Sequence, residues 1–163
     1  MKAFTEDFNT GKTIELEIPD ENLEALQTLA QDRVSDSKLQ SYIDNLDLPA
    51  DAKALIASIL KTAVRVGEMV IRIGKKILEI VIMITSKFPN ATFGLVLGLI
   101  VGALVTSIPL IGGLLGAFVL PIAAAFGLVT GYMDDVPDQS LTNKVAEALA
   151  MFQPLKSDTN VVS

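Results

Sequence analysis

The chain has 163 residues, half of them apolar, a formal net charge of -6 and no Cys, His or Trp. Disulfides and thiol chemistry are excluded, and so is histidine as a general base or metal ligand. No basic surface accompanies a recognisable reader module, which argues against nucleic acid as a partner.

The charge is unevenly laid out. Residues 1–50 hold 11 acidic and 4 basic side chains, residues 51–87 hold 3 acidic and 7 basic, residues 88–133 hold none, and residues 134–163 hold 5 acidic and 2 basic. These shifts divide the chain into an acidic soluble cap (1–50), a long striped helix (51–87), an apolar hairpin (88–133) and an acidic C-terminal helix with its tail (134–163). The first long apolar run lies far downstream of an acidic, polar beginning, unlike a cleavable signal peptide.

In the cap, Thr13 to Ile18 alternates apolar and polar side chains, the period of a half-buried strand. Asn9-Thr10-Gly11 reads as a turn before it and Pro19 as its stop. Its partner is sought in residues 3–8 or in another subunit, because one strand is not stable alone. Asp20 can cap a helix with Leu23, Leu26, Leu29 and Ala30 on one face, and Ser35 or Asp36 a second with Leu39, Tyr42, Ile43 and Leu46 inward. The pairs Glu15/Glu17 and Asp44/Asp47 read as a solvated acidic face rather than a catalytic or metal pair. Their run lacks the length and internal Gly of a calcium loop.

Leu48-Pro49-Ala50-Asp51 breaks the chain and starts a helix, and no further Pro occurs before Pro89. Residues 51–87 thus read as one helix of roughly 50 Å at 1.5 Å per residue. Its charges, Lys61, Arg65, Glu68, Arg72, Lys75 and Glu79, alternate at spacings of 4 and 3. With Lys76 they occupy roughly 100° of arc. The rest is almost wholly apolar, the reverse of a surface helix. Gly67 and Gly74 lie to one side as small packing positions. Three readings stay open: a stripe facing a wet lumen between copies, an interfacial helix meeting anionic head groups, and a docking seam outside the membrane.

From Phe88 to Met133 there are 46 residues without a charge. That is too long for one spanning helix and suits two, placed at 92–110 and 114–133 with the break at Pro109–Gly113. Gly94, Gly98 and Gly102 form one small-residue ridge, and Gly112, Gly113 and Gly116 another. Pro121 predicts a kink in the second span. Gly112-Gly113 is no phosphate cradle, since no Lys-Ser/Thr follows. After the hairpin, Asp134, Asp135 and Asp138 are a candidate pore mouth. Ser140 can cap a helix running to Phe152.

The sequence therefore predicts an all-α membrane protein: a long charge-striped amphipathic helix, an apolar transmembrane hairpin, a small acidic N-terminal cap and a C-terminal helix. The function expected is an oligomeric pore or channel-like protein. The alternative is a membrane-anchored scaffold or adaptor recruiting a soluble partner through the acidic cap. Partners would be the lipid bilayer and copies of the chain. Localisation would be integral to a plasma or inner membrane, with both hairpin ends cytoplasmic because Lys75, Lys76 and Lys87 precede the hairpin. No catalytic, cofactor or metal site is expected. The Ser residues lack an identifiable base, and Glu68 and Glu79 stand roughly 16 Å apart along a helix.

Overall fold

The alternation around Glu15 does produce a strand, and its partner is the start of the chain. In the computed structural model, which describes residues 1–6, 13–31, 34–88, 92–126 and 139–156, β1 (Lys2–Glu6) pairs antiparallel with β2 (Thr13–Glu17), Phe4 opposite Glu15. On its other side β1 pairs with β3 (Val64–Val66), which turns back into β4 (Met69–Ile71). The four strands form one antiparallel sheet in the order β2-β1-β3-β4. Strands from the first 17 residues and from residues 64–71 thus share a sheet across the middle of the sequence.

The β3–β4 hairpin overturns the long striped helix. α3 (Ala50–Leu60) ends before it and α4 (Ile73–Lys87) begins after it. The physical reason lies in Val64-Arg65-Val66 and Met69-Val70-Ile71. Five of these six side chains are apolar, four of them β-branched, and they flank a glycine, which favours a pleated hairpin. Gly67 opens the two-residue turn with φ +59°, a conformation that other residues resist. Arg65 and Glu68 keep a helical spacing from Lys61 and Arg72, but Arg65 also has the strand's period of two: it is exposed while Val64 and Val66 are buried.

The described residues of the uncharged stretch form three helices rather than two spans. α5 (Phe93–Ser107) starts at Thr92, whose hydroxyl accepts from the Leu95 N–H at 3.1 Å. α6 (Pro109–Leu115) follows, then a single 3-10 turn over Gly116–Phe118, then α7 (Val119–Phe126). α5 is the central post of the fold, touching α4, α6, α7 and the C-terminal α8 (Gln139–Ala150). A helix with neighbours on so many sides has no polar face to maintain, which accounts for its unbroken apolar sequence. Its 15 residues reach about 22 Å, short of a hydrocarbon core of about 30 Å. Among the described residues one helical run, Pro109–Phe126, is long and apolar enough to cross a membrane by length and composition, with 33% of its span buried. The 3-10 turn interrupts that run ahead of Pro121. Pro121 itself sits in the first turn of α7, where a missing N–H costs no intrahelical bond.

α6 packs under β1 and β2, and α3 packs against α4 and α7. The first helices are short: a 3-10 turn (Asp20–Asn22) leading into α1 (Leu23–Leu29), and α2 (Asp36–Asp44), where the Ser35 hydroxyl caps by accepting from the Lys38 N–H. One continuous core joins all these layers. It runs from Ile18, Leu26 and Ile43 through Ile56, Ile77 and Val101 to Leu114, Val145 and Phe152.

The fold is mixed α/β, and the all-α membrane architecture is corrected accordingly. α4, α5 and α6 bury apolar faces against their own chain, α7 buries Ile122, and Lys75, Lys76 and Glu79 of α4 have internal partners. The lumen-lined oligomeric pore, the bilayer-anchored scaffold with its cap-bound partner, the lipid partner and the integral-membrane localisation with cytoplasmic hairpin ends all required a spanning hairpin. They fall with it. The burial pattern is that of a self-contained fold.

Candidate functional site

The seven charged residues expected on one stripe separate into two groups. Lys61 ends α3, Arg65 stands on the outer face of β3 and Glu68 lies in the hairpin turn; all three are exposed. Arg72, Lys75, Lys76 and Glu79 stay together at the start of α4, where Arg72 is the N-terminal flanking residue. No acidic residue occupies the first turn of this helix, so three cations sit at its positive end. Cations there are unfavourable unless anions compensate.

The compensation comes from the loop between α1 and α2 and from α4 itself. Asp36 at the start of α2 accepts from Arg72 Nη1 through Oδ1 at 2.6 Å and Oδ2 at 2.8 Å. Lys75 Nζ lies 2.8 Å from the same Oδ1. Lys76 Nζ donates to the Gln31 carbonyl at 2.9 Å and lies 3.3 Å from Glu79 Oε2. Glu79 Oε1 in turn accepts the Val34 N–H at 3.1 Å. The lysine side chains are only 3% and 8% exposed, whereas Asp36 is 62% exposed. Buried ammonium groups are tolerated because each meets a carboxylate. The bond from Lys75 and then that from Arg72 hold the Asp36 carboxyl below its ordinary value, outweighing the opposing effect of desolvation.

Lys76 also lines a cleft of about 370 Å³, near the lower end of the range that holds small molecules. Ala25, Thr28 and Leu29 of α1 form one wall, and Ala150, Met151 and Pro154 at the end of α8 form the other. The Asn22 side-chain amide ties the walls together by donating to the Pro154 carbonyl at 3.2 Å. Phe152 and Leu155, both fully buried, anchor the C-terminal wall in the core. The cleft is thus apolar-sided with one near-buried cation.

The glycines expected to pack helices have varied surroundings. A Cβ at Gly74 would overlap the Ile59 carbonyl, one at Gly94 the Phe126 ring, one at Gly113 the Ile14 side chain, and one at Gly112 would lie 2.8 Å from the Val105 carbonyl oxygen. Nothing lies within 4 Å of such a Cβ at Gly67, Gly102 or Gly116. Gly98 is half-buried on α5. Asp134, Asp135 and Asp138, the expected mouth, lie outside the described residues.

The sequence marks Asp36 only as a possible helix start and gives Met151 and Pro154 no part in a site. One signal could have pointed to them: adjacent lysines followed by Glu79 inside an apolar helix demand acids from elsewhere in the chain. Among the described residues no group of three or more His, Cys, Asp or Glu side chains could hold a metal ion. In comparisons with known proteins, no family model, no curated protein and no solved structure matches this chain.

Proposed function

We propose that the chain is a non-catalytic binding protein that holds a small amphipathic monoanion, an aliphatic carboxylate of moderate length, in the cleft between α1 and the end of α8. The observation that carries this reading is Lys76, a cation 8% exposed on an otherwise mostly apolar cleft. An ammonium has three N–H donors. Among the described residues one goes to the Gln31 carbonyl and a second is directed at Glu79, and we assign the third to a ligand oxygen. The apolar walls supply contact for the ligand's hydrocarbon, at about 25 cal/mol per Å² of apolar area removed from water.

Calorimetric titration with hexanoate, hexan-1-ol and hexylamine tests this. Hexanoate binds, hexanol binds at least about tenfold more weakly because a charge-assisted bond is lost, and hexylamine does not bind. Ala25→Trp places bulk in the cleft while leaving every charged residue in the sequence, and it abolishes hexanoate binding while the circular dichroism spectrum is retained. Equal binding of hexanoate and hexylamine, or unchanged hexanoate affinity in Ala25→Trp, rejects the proposal.

A further inference from the structure

We propose that the ligand of this cleft carries a hydroxyl as well as its carboxylate, and that Thr28 and the Ala150 carbonyl select for that hydroxyl. The inference rests on the cleft reading above and deepens it by naming the ligand's second polar group. Among the described residues that line the cleft, Lys76 and Thr28 have the polar side chains. Thr28 Oγ1 donates its proton to the Glu24 carbonyl one turn back, at 3.2 Å. A hydroxyl has one proton and two lone pairs. With the proton committed along α1, Thr28 offers the cleft an acceptor.

The opposite wall offers acceptors too. Ala150 is the last residue of α8, where helix carbonyls run out of intrahelical partners. The residue four positions on is Pro154, which has no N–H to give. The N–H of Leu155, four positions after Met151, bonds to the Phe152 carbonyl at 3.0 Å instead. Carbonyls at a helix C-terminus also carry its partial negative charge and favour donors. Thr28 and Ala150 are both exposed, so each can be reached from the cleft. The cleft thus combines a donor, Lys76, with acceptors from α1 and α8. An ionised carboxylate is acceptor-only and satisfies Lys76 alone. The acceptors call for an O–H or N–H on the same ligand. An ammonium would meet the like charge of Lys76, and a neutral hydroxyl does not. The ligand class is a hydroxy-substituted aliphatic carboxylic acid.

The experiment is calorimetric titration of the full chain with 3-, 5- and 6-hydroxyhexanoate, each against its methyl ether, which keeps the oxygen and loses the proton. At the position that reaches the acceptors, the hydroxy acid binds about three- to tenfold more tightly than its ether. That is the net worth of one hydrogen bond, since both acceptors otherwise bond to water. Thr28→Val keeps the shape of the side chain and removes its acceptor, and the ratio of those two dissociation constants falls toward one. The bulk of the ether methyl cannot produce that fall, because it is the same in both proteins. A purely structural role for Thr28 would weaken the acid and its ether alike, and a ratio left fixed overturns the inference. Hexanoate binding with no preference for a hydroxyl at any position overturns it while the cleft reading stands. If no acid binds, hexanoate included, the cleft reading falls and takes the inference with it. If Thr28→Val does not fold, the ratios in the unsubstituted protein still decide.

Discussion

Gly74 shows how much one position can control. It is the second residue of α4 and lies against the last turn of α3, where the Thr62 hydroxyl bonds to the Ile59 carbonyl at 2.7 Å. A methyl group there would overlap that carbonyl, which is backbone and cannot rotate aside. Gly74→Ala should destabilise the protein by about 1–3 kcal/mol, the usual cost of overpacking, although alanine is the better helix former. Chemical denaturation with an unchanged m-value measures it, and a neutral or stabilising result would show that α3 and α4 do not meet as described. The sequence marked Gly74 as a small packing residue. It did not reveal that the partner is a helix end and not a second copy of the chain.

At the scale of the element, the first turn of α4 explains why charges persist in so apolar a helix. Asp36 is the shared counter-ion for Lys75 and Arg72, and its carboxyl is held below the ordinary value of about 3.9. A depressed folded-state value contributes stability that is fully present above the unfolded value and is lost as pH falls through the folded one. Thermal melts of the protein and of Asp36→Asn should therefore differ at pH 5–7, with Asp36→Asn the less stable. The gap should close as the pH is lowered below about 3.9. A gap that stays constant across this range would remove the ion pairs as its cause. The ammonium of Met1 has the opposite sign. Its bond to Asp20 and then that to Glu17 raise its value against the lowering effect of desolvation, so its contribution fades as pH rises through the folded value.

For the whole molecule, the C-terminal wall of the cleft and the core are one structure. Phe152 is completely buried in the same cluster that contains α5 and the inner face of the sheet. Phe152→Ala should cost about 3–5 kcal/mol, and it should loosen the cleft because Met151 and Pro154 flank it. Amide hydrogen exchange should show protection lost at α1 as well as at α8. Loss confined to α8 would separate the cleft from the core. The exposed apolar surface has a different distribution: Leu120, on α7, is 73% exposed, and Ile122 is the buried residue of that helix.

Local patterns determined what local physics can determine. Thr13–Glu17 reads as a strand because period two survives any partner, and Ser35 or Asp36 as a helix start because a side-chain oxygen there can satisfy a backbone N–H; the structure assigns the cap to Ser35. Tertiary structure decided the rest. An apolar helix is equally at home in hydrocarbon or among four other helices, because both remove it from water, so α5 carries no mark in its sequence of which solvent it has. The 3–4 spacing of the charges could not distinguish a helix from a hairpin feeding a helix, and only pairing of β3 with the distant β1 settled it. The cleft was invisible for the same reason: its two walls are separated by more than a hundred residues, and nothing short of the folded chain brings them to Lys76.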